Sequence, residues 1–136
     1  MPTFAELIRS QEELLQRLFL VSQRQLEIVQ AGDGAILLLH LGKRQQLWNE
    51  FELLGQQLAP HWEVPPEQRV WSSPGERQMT EAAFNRCKEL LEAILANDET
   101  SLTQATELMD EVKEQLRRIQ QGGHVAAAYG RQSNKG

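Results

Sequence analysis

The chain has 136 residues, a formal net charge of −5 and a single cysteine. That length predicts one domain with a core that needs neither disulfide nor metal, and the lone Cys87 excludes an internal disulfide and fits a reducing compartment. The tail, 122–136, contributes +2, which leaves −7 for residues 1–121, a balance that disfavours nucleic acid and anionic membrane surfaces and leaves proteins as the expected partners.

"MPTFAELIRS" lacks the basic start and continuous apolar core of a signal peptide. No run approaches the ~18 consecutive apolar residues of a membrane span. The expectation is a cytoplasmic protein. Thr3-Phe-Ala-Glu6 has the form of a capping box and opens a first helix over about 4–30. Its apolar residues Phe4, Leu7, Ile8, Leu14, Leu15, Leu18, Val21 and Ile28 recur every three or four positions and predict one buried stripe, interrupted at Gln11 and Gln25. "QAGDGA" ends the run, with Gly32 as stop and Asp33 as the next cap. A second helix follows over about 34–58, with Leu37, Leu41, Trp48, Phe51, Leu54 and Leu58 on its inner side. Two long helices joined by so short a link lie antiparallel.

From Pro60 to Ser73 the pattern loses its period and contains three prolines, so it reads as a connector whose Trp62 and Trp71 fold back on the helices. Ser73-Pro74-Gly75-Glu76 is a further start signal. A third helix carries Met79, Ala83, Phe84, Cys87, Leu91 and Ile94. "LANDETSL" then offers three cap residues, Asn97, Asp98 and Ser101, and reads either as a break or as a kink in one continuous helix. Beyond it, Leu102, Ala105, Met109, Val112, Leu116 and Ile119 step by 3, 4, 3, 4, 3, the period of left-handed coiled packing. Matching Asp33 with Asp98 and Leu37 with Leu102 suggests two helical hairpins of similar design. No segment alternates as a strand does. The predicted fold is all-α: a long antiparallel bundle of three to four helices, 1–121, with coiled-coil-like packing and a flexible C-terminal tail, 122–136.

Little in the sequence points to catalysis. His40, His61 and His124 follow neither the Glu-x-x-His nor the paired-His spacing of metal sites, Cys87 has no CxxC partner, and "GDG" lacks the context of a nucleotide loop. The expectation is no enzyme, no metal and no cofactor. One chemical alternative is histidine phosphotransfer through His40 in "LLHLGKRQQL", with Gly42 opening access and Lys43 offsetting phosphoryl charge. The plainer reading of His40 is a helix-face residue at the core edge. A generic coiled-coil adaptor is the other alternative.

After Gly122-Gly123 the segment "HVAAAYGRQSNKG" buries too little apolar area to offset its ordering. As a short helix it would set Val125, Ala128 and Tyr129 on one side, a form that folds on a partner with an aromatic anchor; the alternative reading is a disordered end without function.

The run "IVQAGDGAILLLHLGKRQQLWNEFELL", the later "ELLEAILANDETSL" and the closing "AAAYG" resemble flagellar export chaperones of the hook-filament-junction type, a FlgN-like family, over about residues 7–130. The resemblance implies a small helical chaperone that holds hook-associated proteins by their C-terminal segments and delivers them to the export gate. Carried over by position, Met109, Val112, Leu116 and Ile119 face cargo, and Tyr129, with Val125 beside it, docks at the gate.

Overall fold

The computed structural model describes the backbone of residues 2–134 and the side chains of residues 2–122. Its three long helices are α1 (Phe4–Ala31), α2 (Gly34–Trp62) and α3 (Pro74–Asn134), with a single 3-10 turn at Pro66–Gln68 in the connector. No strand occurs among the described residues. The chain divides into two compact units, Met1–Ser101 and Leu102–Gly136.

Each helix start of the first unit is fixed by local chemistry. The Thr3 hydroxyl accepts from the Glu6 amide at 3.2 Å, and the Glu6 carboxylate accepts from the Thr3 amide at 3.2 Å, so two orphan donors are satisfied at once. α1 stops at Gly32, whose φ of 73° is the left-handed cap that other residues resist. Asp33 immediately caps α2 by accepting from the Ile36 amide at 3.1 Å, which makes the turn between the two helices very short. At α3, the Ser73 hydroxyl accepts from the Glu76 amide at 3.1 Å. The Glu76 carboxylate in turn accepts from the Ser72 hydroxyl and amide, and these bonds hold it below the usual carboxylate range.

The tertiary contacts fix the directions. Phe4, at the start of α1, packs edge-on against Trp62 at the end of α2 with ring centroids 5.2 Å apart. The His40 Nε2 of α2 lies 2.8 Å from the Val21 carbonyl oxygen of α1. α1 and α2 are therefore antiparallel, as the short turn requires. Glu12 pairs with Arg86 at 2.6 Å and Ser22 with Asn97 at 3.0 Å, so the first part of α3 runs back alongside α1.

The core has two sections. One gathers Phe4, Leu7, Ile8, Leu58 and Ala83, with Trp71 and Phe84 packed on it. The other gathers Leu14, Leu15, Leu18, Cys87 and Ile94, with Trp48 and Phe51 packed on it. The apolar residues predicted for α1 are buried, Val21 alone being half-buried, and Ala5, Val29 and the expected interruption Gln25 are buried with them. Burial also pushes the Cys87 thiol up to about 11.

Past this core the bundle interior turns polar. Ser22 is buried, donating to the Phe19 carbonyl at 2.7 Å and accepting from Asn97. Arg44 pairs with Asp98 and stacks 5.9 Å from the Trp48 ring centre. Burial raises the Asp98 carboxyl above its ordinary value, outweighing the opposite pull of Arg44. This layer explains why "LANDETSL" does not break the helix. The cap-forming side chains Asn97 and Asp98 bond to neighbouring helices instead of to their own backbone, so α3 continues through them. The suggested second hairpin is absent for the same reason: Asp33 caps a helix, whereas Asp98 sits inside one.

α2 also runs past its expected end, taking in Pro60, His61 and Trp62. Proline there removes one late helical hydrogen bond, and the packing of Trp62 on Phe4 and Phe84 holds the last turn in place. Trp71 turns back to meet Phe4 at 6.0 Å. The helical backbone of α3 likewise passes Gly122-Gly123 and reaches Asn134.

Candidate functional site

The second unit carries the 3-4 repeat. Because α3 does not break at 97–101, Leu102, Met109, Val112, Leu116 and Ile119 fall along one side of a single helix, a span of about 25 Å at the α-helical rise. In a bundle such a seam would be covered. Here its members are open to solvent, from 45 % for Val112 to 69 % for Leu102, with Ala105 half-buried between them. Scattered apolar residues on a surface are ordinary, but a continuous row at coiled-coil spacing marks a surface suited to another helix.

The four residues expected to hold cargo, Met109, Val112, Leu116 and Ile119, are thus brought together, exposed and in register. The side chains of Val125 and Tyr129 lie outside the described residues. Charge is distributed unevenly along this stretch, and all of it but Lys113 falls on the outer positions of the helix, away from the seam. Residues 102–111 contain three acids and no base, and 112–121 contain three bases and one acid. That one acid, Glu114, is held within its own helix by Arg117 and by Arg118 at 3.5 Å. Glu107, Asp110 and Glu111 make no ion pair among the described residues.

In the first unit His40 is half-buried, and its hydrogen bond to the Val21 carbonyl gives it a structural role between α1 and α2. Two surface features there were not singled out from the sequence. Ile36, Leu38, Leu39 and Leu41 are all exposed at the start of α2, although Leu41 belongs to the face expected inside. The signal was present in "AILLLHL", which is apolar around the whole helix and so cannot all face one core. Second, Phe4, Trp62, Arg69, Trp71 and Phe84 line a cavity of about 390 Å³, with the Arg69 guanidinium 4.4 Å above the Phe4 ring and 5.4 Å from Trp62. No described helix is long and apolar enough to cross a membrane.

A comparison with protein families matches residues 12–131 to the model described as flagellar protein FliT. Comparison with curated proteins and with solved structures gave no match. The match corrects the FlgN-like resemblance, since that family is related to this one but different. Both are built from degenerate amphipathic helices, whose spacing alone separates them poorly. With the matched region running from α1 through the exposed seam of α3, the chain belongs to the FliT family, a family of flagellar export chaperones.

Proposed function

We infer that this protein holds hook-associated flagellar proteins in the cytoplasm by their C-terminal segments, prevents their premature association and delivers them to the export gate. The observation that carries this reading is the exposed seam Met109, Val112, Leu116 and Ile119 within a chain of the FliT family. Cargo whose terminal helices assemble only after export presents an apolar face too early. A helix with a matching 3-4 row covers that face without chemistry, nucleotide or metal. In this reading residues 1–121 hold cargo, and the segment 122–136 is the handle, with Tyr129 and Val125 engaging the gate.

Val112→Asp combined with Leu116→Asp is expected to weaken binding of a hook-associated protein by at least a hundredfold, measured by titration calorimetry, because two charges then enter an apolar interface. Deleting 122–136 is expected to leave that binding largely intact while abolishing secretion. Normal binding and normal export in both variants would contradict the proposal.

A further inference from the structure

The connector "PHWEVPPEQRVWSS" brings two tryptophans and one arginine against Phe4 and Phe84, and a cavity of about 390 Å³ stays open among them. We propose that this cavity binds a carboxylate attached to a ring-sized apolar body, such as a free aromatic acid or the C-terminal residue of a peptide. Arg69 and the Trp71 indole hold the carboxylate, and Phe4, Trp62 and Phe84 wall the apolar part. The site lies wholly within the first unit, shares no residue with the seam and does not rest on the seam's role.

The walls are aromatic. Phe4 stands edge-on to Trp62 at 5.2 Å and to Trp71 at 6.0 Å, and Trp62 lies 5.2 Å from Phe84. Such walls suit an apolar body, and the volume falls at the lower end of the ~300–1,000 Å³ usual for ligand sites. Two donors on these walls lack acceptors. The Trp71 Nε1 is buried without a hydrogen-bond partner among the described residues, so its desolvation goes uncompensated. The Arg69 guanidinium donates through Nε to the His61 carbonyl at 3.4 Å and makes no ion pair among the described residues, which leaves its terminal N–H groups open. Phe4 neighbours both donors, with the guanidinium 4.4 Å from its ring centre.

The charges of the lining choose the sign of the guest. Arg77 pairs with Glu81 at 3.1 Å, so the uncompensated charge is that of Arg69. A cation is the usual guest of aromatic walls, but here Arg69 already occupies that place over Phe4 and Trp62 and repels a second one. A neutral apolar guest fills the space and leaves both donors unpaired. A carboxylate brings one negative charge and two acceptor oxygens, which match the guanidinium fork and also reach an indole N–H.

The test titrates the full-length, nitrogen-15-labelled protein with 3-phenylpropionate, with N-acetyl-glycyl-phenylalanine, and with the amide of each. The chain has three tryptophans, and the indole N–H signal of Trp71 is the one lost in Trp71→Phe. Both acids are expected to move that signal downfield and to saturate with a Kd on the order of 1 mM or below. The signal of Trp48, which packs on the other core section, is expected to stay in place. Each amide is expected to bind at least about tenfold more weakly than its acid. Saturation by one acid alone supports the proposal and identifies the source, free acid or chain end. Arg69→Gln is expected to abolish binding, and Arg69→Lys, which keeps the charge without the fork, to weaken it roughly tenfold. The acid–amide comparison on the unaltered chain decides the matter even where a variant folds poorly. Equal affinity of acid and amide, full binding by Arg69→Gln, or a Trp71 signal unmoved by either acid at about 10 mM would overturn the proposal.

Discussion

Two stretches of helix α3 use the same three-and-four spacing to opposite ends. In the first, Ala83, Cys87 and Ile94 point into a core shared with α1 and α2, and Ile94 is wholly buried. In the second, Met109, Val112, Leu116 and Ile119 repeat the pattern with more than two-fifths of each residue open to water. Amphipathic spacing specifies that a helix has an apolar face; it does not specify what covers that face. For the first stretch the cover is within the chain, and for the second we assign it to cargo.

The sharpest way to break this comparison is to place the same charge in each stretch. Ile94→Asp puts a carboxylate where no water reaches and is expected to cost about 4 kcal/mol or more, enough to unfold much of a domain of ordinary stability. Ile119→Asp, at a residue 68 % exposed, is expected to change stability by only about 0.5 kcal/mol or less. Urea denaturation of the two variants measures both. Comparable losses would show that the seam is part of the folded core after all.

Cys87 offers a smaller but cleaner readout of the closed stretch. Its thiol is raised from 9.0 to about 11 by burial, which lowers the thiolate fraction at neutral pH by about a hundredfold. Alkylation by iodoacetamide is therefore expected to be at least that much slower in the native protein than in urea. A cysteine introduced at Val112 is expected to react at nearly the unfolded rate. Similar slow rates at both positions would contradict the contrast between the two stretches.

The smallest effect concerns the polar layer where the core ends. The Asp98 carboxyl is raised above 3.8 because burial outweighs its pairing with Arg44. The folded state thus holds that proton more tightly than the unfolded one. Its contribution to stability is present at low pH and is lost as pH rises from about 3.8 through the raised value. In Asp98→Asn this part of the pH dependence is expected to vanish, as read from urea midpoints across an acidic pH series. An unchanged profile would show that Asp98 does not carry it.

How far the sequence foretold this depends on where each residue finds its partner. Thr3, Asp33 and Ser73 bond within three residues of themselves, so the starts of all three helices were legible. The seam was legible too, because a repeat of 3 and 4 needs no tertiary information. Asn97 and Asp98 were ambiguous because their bonds go to Ser22 and Arg44, far along the chain. No local rule distinguishes a polar residue that caps a helix from one that joins two. By local rules Pro60 ends α2, but rings contributed by Phe4 and Phe84 hold the turn that follows it. The start of α2 was misjudged differently: "AILLLHL" has no polar side, so periodicity could not say that Leu41 would be exposed. The family was recognised at the level of flagellar export chaperones, while its assignment to FliT came from the match over residues 12–131.

The most direct test of the cargo surface is amide hydrogen exchange on the full chain, with and without the C-terminal segment of a hook-associated protein. The account predicts that binding slows exchange strongly across 102–121 and leaves the already protected 4–18 and 83–94 nearly unchanged. Protection that instead rises only in α1 and α2, with 102–121 exchanging as fast as before, would contradict it.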